Sequence, residues 1–405
     1  MKRLSTLAIA LSGLIATSSF AETQVSVKAA ADYRLYTQDA LYAKQADKQF
    51  SMFIEPEIYH SWNDDLDSIT FKSFYRWDNE DDERSHGDIR ELMWLHVGDD
   101  WELRTGIGSV FWGQTESAHL VDIINQTDAV EAVDGEDKLG QPMINLTLVR
   151  DWGNLDLFVL PGFRERTFAG EDGRLRGPFI VDTDSVRYQS SDEEHHVDFA
   201  ARWSHSIDIW ELGVSYFDGT SRDPNLSLNS NNRGDWVSLS AYYRQISQVG
   251  VDVLAVVDSW ILKFEGITRH YDDDSLFVPQ DYFAMTTGFE YTSVGVFDSV
   301  WDIGWLMEYQ FDDRDSSFEA AGQNDLMLGS RLVVNDVNGT EVLFGMIQDL
   351  DHSNTRSAFV EASSRIDDNW KWRVDARIFS SNEPSNVLYN LRNDDNIEVS
   401  LEYYF

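Results

Sequence analysis

Along most of this chain, apolar and polar residues alternate one for one. In SITFKSFYRW, Ile69, Phe71, Tyr75 and Trp77 fall on one side, with Thr70, Lys72, Phe74 and Arg76 on the other. HHVDFAARW sets Val197, Phe199, Ala201 and Trp203 against His196, Asp198, Ala200 and Arg202. VWDIGWLMEY does the same with Trp301, Ile303, Trp305 and Met307, although Leu306 interrupts its polar row. In NWKWRVDARIF, Trp372, Val374, Ala376 and Ile378 oppose Lys371, Arg373, Asp375 and Arg377. The final stretch, NDDNIEVSLEYYF, keeps the alternation up to Phe405. A period of two marks a strand with one apolar and one wet face. Segments of about ten residues with this period, separated by turn residues, are the signature of a transmembrane β-barrel.

The pattern predicts an all-β, antiparallel up-and-down barrel of eighteen strands, with sixteen as the fallback count. Their approximate spans are 24–36, 48–61, 67–78, 88–98, 101–112, 142–151, 154–163, 194–205 and 208–218. The second half follows at 236–257, 260–271, 282–293, 299–310, 324–335, 340–350, 355–365, 369–380 and 394–405. Bacterial barrels have an even strand number, short periplasmic turns and longer outer loops. Cutting Trp236–Val257 in two breaks that parity, so it is read as one long strand projecting above the membrane. Trp101, Trp152, Trp203, Trp210, Trp260, Trp301 and Trp370 fall near periplasmic strand ends, and Trp77, Trp112 and Trp236 near outer ends. Two aromatic girdles would place them so. Five of the seven prolines lie in loops or at a strand start, Pro56 and Pro161 being the exceptions. The terminal aromatic Phe405 sits where barrel proteins carry a residue read by the barrel assembly machinery.

The N-terminus reads MKRLSTLAIALSGLIATSSFA, with Lys2 and Arg3, a short apolar run and a small-residue end at Ala21. Residues 1–21 are expected to be a secretory signal peptide, and residues 22–405 the barrel. Without Lys2 and Arg3, 30 basic residues face 71 acidic ones, a net charge of −41. So acidic a chain is a poor partner for nucleic acid. Cysteine is absent, which suits an exported protein without disulfide staples. These features point to the cell outer membrane, with its lipid and lipopolysaccharide as surroundings.

By parity, the inward row includes Lys72, Arg76, Arg90, Glu102, Arg104, Arg202, Lys263, Glu265, Arg331, Arg373 and Arg377. Opposed basic and acidic rows can set a transverse field in a water-filled pore, or simply pair across the wall. The insertion GQTESAHLVDIINQTDAVEAVDGEDKLGQ, residues 113–141, carries Leu120, Val121, Ile123, Ile124, Val130 and Val133 among acidic side chains. It is too apolar for a solvated loop and is expected to fold inward as a constriction, with Glu116, Asp122, Asn125 and Asp128 on it. A second insertion, 164–193, is expected to be a functional loop or a cap over the rim. The acidic clusters DNEDDER, HYDDDSLF and QFDDRDSSF lack EF-hand spacing and read as solvated faces. No G-x-S-x-G or H-E-x-x-H motif occurs. His195 and His196 read as a polar strand end, and neither an enzyme, a cofactor nor a metal site is expected.

Several segments resemble an uncharacterised family of Gram-negative outer-membrane proteins, catalogued as a domain of unknown function. They include FWGQTESAHLVDIINQTD, FDGTSRDPNL, YRQISQVGVDV, WILKFEGITR, GFEYTSVGVFDSVWDIGWLMEYQFDDR and NDLMLGSRLVVND, between about residues 111 and 336. The resemblance implies a porin-type barrel with a transport role. Some members are encoded near a periplasmic lipid-binding-like protein and a resistance-nodulation exporter, which implies hydrophobic or lipid-like cargo as the alternative to small solutes. It implies no catalytic residues.

Overall fold

Alternation builds strands here, and their exposed and buried faces are reversed relative to a soluble sheet. The computed structural model describes residues 22–231, 233–272, 281–314 and 322–405. The expected signal peptide, and parts of the second and third acidic clusters, lie outside these residues. In the last strand Ile397, Val399 and Leu401 are 43, 47 and 42% exposed, whereas Glu398, Ser400 and Glu402 are 6, 1 and 3% exposed. The apolar row points out and the polar row points in, as a lipid-facing wall requires.

The strands are β1 (Glu22–Tyr36), β2 (Lys48–Trp62), β3 (Asp67–Asp78), β4 (Gly87–Val97), β5 (Trp101–Gly108), β6 (Gln141–Arg150) and β7 (Gly153–Pro161). They continue with β8 (Arg187–Tyr188), β9 (Val197–Ile207), β10 (Trp210–Thr220), β11 (Asn225–Ser230), β12 (Trp236–Tyr243), β13 (Gln245–Val257) and β14 (Trp260–Tyr271). The remainder are β15 (Tyr282–Ser293), β16 (Asp302–Asp312), β17 (Asn324–Val333), β18 (Glu341–Asp349), β19 (Arg356–Arg365), β20 (Trp370–Ser380) and β21 (Asn396–Tyr404). All but β8, β11 and β12 join one antiparallel sheet of 18 strands, each paired with its neighbour in sequence. Pairing of β1 with β21, from Lys28–Tyr404 to Tyr36–Asn396, closes it. Phe405 continues the seam through its N–H to the Val27 carbonyl oxygen (3.0 Å). Closure pairs the first strand with the last, so neither stands as an open sheet edge in lipid.

One rim carries tight turns; Asp208 and Asp258, at φ 57° and 54°, make two of them. The other rim carries the long connections 37–47, 109–140, 162–196, 221–244 and 381–395. Trp236–Val257 is not one strand. The ladder breaks at Arg244, and β12 pairs with β11 and β8 in a separate three-stranded sheet beyond the rim. The strand count and the parity survive because the upper half leaves the barrel without adding a crossing. Trp112 and Trp236 are not rim residues. Trp112 is buried inside against Phe158, and Trp236 is exposed on the upper sheet. Pro56 lies where the β2–β3 ladder skips from Ile54–Tyr75 to Glu57–Lys72, so its missing N–H leaves no rung unpaired.

Candidate functional site

Between β5 and β6 the chain turns inward. At its stem, Asn125 donates to the carbonyl oxygens of Gly108 and Leu139 (both 2.8 Å) and accepts from the Val110 N–H (2.9 Å). Asp122 accepts from the Trp112 and Gly113 N–H groups (2.6 and 2.9 Å). Of the six apolar residues flagged in the sequence, Leu120, Val121, Ile123 and Ile124 pack on inward-facing wall residues, whereas Val133 is exposed. Val121, Ile123 and Ile124 join Phe158, Leu160, Phe217, Ile246 and Ile267 in one cluster. Burying three such side chains contributes about 1.5–3 kcal/mol each, enough to hold the segment against the β6–β15 side.

Two buried wall carboxylates grip the next stretch. Glu265 accepts from the N–H groups of Gln114 (2.6 Å), Thr115 (2.9 Å) and Val121 (3.3 Å) and from the Thr115 hydroxyl (2.9 Å). Glu308 accepts from the Glu116 and Ser117 N–H groups (2.8 Å each) and the Ser117 hydroxyl (2.6 Å). Beside them, Arg331 donates to Glu116 (2.8 Å). The far part of the segment reaches other strands. Arg90 on β4 bonds Asp128 (2.6 Å), Arg76 on β3 bonds Glu131 (2.7 Å), and Arg377 on β20 bonds Asp134 (2.7 Å). The segment is thus tied to β3, β4, β14, β16, β17 and β20.

Of the residues singled out by parity, Lys72 pairs with Glu55 (3.1 Å), Arg104 with Glu102 (2.8 Å), and Arg202 with Asp252 (2.6 Å). Lys263 is half-buried on β14. Two cavities lie beside the segment. One of 600 Å³ sets Glu131, Asp134, Glu136 and Asp137 against Lys28, Arg34, Arg84, Arg373 and Arg377. The other, of 760 Å³, is lined by Lys72, Glu91, Arg104, Asn145 and Asp156. Arg90, Phe111, Glu136 and Asp137 border both. Asn125 and Asp128 are instead buried within the fold of the segment.

Sequence reasoning did not single out Arg34, Arg84, Glu131, Asp134 or Glu398. Arg34 bonds Glu398 (2.6 Å), and parity alone could have flagged both. Arg84 had no such signal. The cluster DNEDDER, read as a solvated face, is folded inward in part: Asp78, Asp81 and Arg84 are each 3% exposed, while Asn79, Asp82 and Glu83 face solvent. Arg84 donates to Asp78 (3.0 Å) and to the Val130 carbonyl oxygen (3.0 Å), and Asp81 accepts from the Gly170 N–H (3.1 Å). Proximity to the inward segment and to the 162–196 loop, invisible in a local pattern, explains the difference. That loop crosses the rim, with Arg174 bonded to Asp394 (2.8 Å) and Arg166 to Asp223 (2.8 Å).

His86, Asp128 and Glu131 bring their ligand atoms within 4.8 Å of one another. Their carboxylates are already engaged by Arg90, Thr167 and Arg76, so the group works as an ion-pair network. His196 lies 2.8 Å from Asp198, which also accepts from Arg222 (2.6 Å) and the Thr220 N–H (2.9 Å).

Charge on the segment is tunable. Asp137 is exposed to the two cavities, but enclosure by the surrounding wall, then the neighbouring Glu131 and Asp134, push it up to about 6, with Arg90 opposing. The Glu136 carboxylate, 3.9 Å from His119, holds that imidazole above its usual value against the effect of burial. Asp137 is therefore charged at pH 7 and neutral once pH falls through 6. If ions pass beside the segment, cation preference should drop about twofold across that interval, read as reversal potential in a salt gradient. Asp137→Asn should flatten the step near pH 6; an unchanged step would remove Asp137 from the ion path.

No family model matches the chain, and no curated protein matches it. Among solved structures, OpdO of Pseudomonas aeruginosa aligns over 95% of this chain and 96% of its own, at 8% identity and a TM-score of 0.51. The chain shares the closed β-barrel fold of that protein. OmpT of Vibrio cholerae aligns over 96% and 100% at 7% identity and a TM-score of 0.49. A porin of Rh. blastica aligns over 95% and 100% at 10% identity and 0.44. At such identities the likeness extends to the fold alone.

Proposed function

We propose that this protein is an outer-membrane channel for small polar solutes, its pore narrowed by segment 113–141. One observation carries the reading: the segment is bonded to Glu265, Glu308 and Arg331 at one part of the wall and to Arg76, Arg90 and Arg377 at another. Charged cavities of 600 and 760 Å³ remain beside it. Acidic side chains on the segment facing guanidiniums on the wall orient dipolar solutes and exclude apolar ones. Membrane lipid, lipopolysaccharide and the barrel assembly machinery are the partners this reading carries. Single-channel recording of the refolded protein in a planar bilayer tests it. Steady ohmic conductance is the expected result, and silence at all voltages would sink the reading.

A second reading is export of hydrophobic compounds with a periplasmic lipid-binding protein and an inner-membrane exporter. It draws on the resemblance to the uncharacterised outer-membrane family and on a 170 Å³ cavity above the segment, where Val130, Phe168, Phe179, Leu226 and Leu239 stand beside Arg34, Arg84, Arg174 and Arg176. Such a mixed lining would suit an amphiphile with an anionic head. Silence in the bilayer, relieved by the two partner proteins, would favour export.

A further inference from the structure

The channel reading leaves a gap in the wall itself unexplained. β5 has 8 residues, whereas a tilted strand needs about 9–11 to cross the hydrocarbon layer. Its ladder with β4 ends at Leu92–Ile107, so Gly87, Asp88, Ile89 and Glu91 of β4 pair only toward β3, where the register skips Arg90. On the other side, the β6–β7 ladder ends at Ile144–Val159, and Leu160 and Pro161 pair only with β9. Among the described residues, the long-loop half of the wall between β4 and β7 is therefore a notch.

Unpaired backbone facing lipid is costly, and the local sequence reduces that cost. Pro142 and Pro161 stand at the notch and have no N–H to leave unpaired. This accounts for Pro161, which was anomalous inside a strand. Gly140 approaches β4 so closely that a Cβ there would lie 2.1 Å from the Ile89 carbonyl oxygen. Its N–H donates to Asp88 (3.0 Å), and Arg164 donates to both Asp88 (2.5 Å) and the Gly140 carbonyl oxygen (2.9 Å). Side chains stitch the opening where a ladder would otherwise run.

The notch forms a cavity of 480 Å³ lined by Ile89, Ile107 and Pro142, with Asp88, Gly140 and Arg164 around them. Ile89, like its neighbours Leu92 and Ile144, belongs to the exposed apolar face, so the cavity opens to lipid. Arg164 keeps 33% of its side chain exposed. We propose that this notch is a lipid site, seating one acyl chain of an anionic membrane amphiphile with Arg164 against the head group. The apolar lining matches the chain, and the guanidinium matches a phosphate or carboxylate. An added strand from another protein does not fit, because prolines interrupt the donors such pairing needs. The inference is independent of whether the lumen conducts.

The chain has no cysteine, so single labels can be placed directly. Ile89→Cys, with Ile107→Cys as its substitute should it fold poorly, is labelled with an environment-sensitive fluorophore. Val399→Cys, on the exposed face of β21, is the reference. Each protein is reconstituted in phosphatidylcholine vesicles with rising fractions of phosphatidylglycerol carrying brominated acyl chains. Half-maximal quenching at position 89 is expected at about tenfold lower fraction than at position 399, a difference of about 1.4 kcal/mol. Adding Arg164→Gln should move the position-89 curve toward the reference curve. Coincident curves at the two positions would overturn the proposal. So would an equal position-89 response to brominated phosphatidylcholine, which lacks a net anionic head group.

Discussion

Deleting residues 116–138 should raise single-channel conductance about threefold while leaving the barrel folded. The segment crosses from Glu308 and Arg331 on one part of the wall to Arg76, Arg90 and Arg377 on another. Nothing in the ladder depends on it, since each barrel strand pairs with its sequence neighbour and β21 closes on β1. Glu265→Ala with Glu308→Ala is the subtler version. Together these carboxylates hold four and three donors of residues 114–121. Each lost carboxylate leaves buried N–H groups unpaired, at about 1–3 kcal/mol apiece. The double variant should therefore conduct with large, slow fluctuations, because the segment is unpinned but still present. Heat-modifiable migration on a gel confirms folding in both cases. An unchanged, quiet conductance from the deletion variant would mean that the segment does not limit the pore.

The barrel was legible because each strand reports its own two faces. β3, β14 and β15 match the spans read from alternation, Asp67–Asp78, Trp260–Tyr271 and Tyr282–Ser293. Misreadings arise where alternation continues after the chain has left the wall. Phe111 continues the odd-numbered apolar row of Trp101, Leu103 and Ile107 beyond Gly108, while Val110 and Trp112, on the row of Glu102 and Arg104, pack inside the lumen around the buried segment. β12 keeps the rhythm of β13, but its upper partners are β11 and β8. A period of two says that a residue faces something, and cannot say which strand pairs with it. The inward fold of 113–141 was legible from its apolar content. Its anchors were not, because Glu116 and Glu308 lie 192 positions apart and only the closed barrel brings them together. Arg84 and Asp81 were hidden by the same limit, since charge composition alone makes their cluster look solvated.

Arg76→Ala should be the most damaging single substitution in the lumen. Its guanidinium donates to Asp32 (2.5 Å), to the Ser51 hydroxyl (2.7 Å) and through Nε and Nη2 to Glu131 (2.7–2.9 Å). Its plane also lies 4.8 and 5.7 Å from the ring centroids of Phe53 and Phe74. Asp32 and Glu131 are 1 and 9% exposed, and Asp32 Oδ1 already lacks a partner. Removing the arginine strands two carboxylates side by side, a cost of about 3–5 kcal/mol. Arg76→Lys keeps the charge but not the fork, so it should recover only part of the loss. If the penalty is the stranded charge, adding Asp32→Asn and Glu131→Gln to Arg76→Ala should restore much of the urea midpoint. If it is lost packing against Phe53 and Phe74, the triple variant stays as unstable as Arg76→Ala. Glu131 is also the middle one of three ties of 128–134 to the wall, so Arg76→Ala should make the open channel noisier at a given voltage. A quiet channel with a lowered midpoint would assign Arg76 to the wall alone, leaving Arg90 and Arg377 to hold the segment.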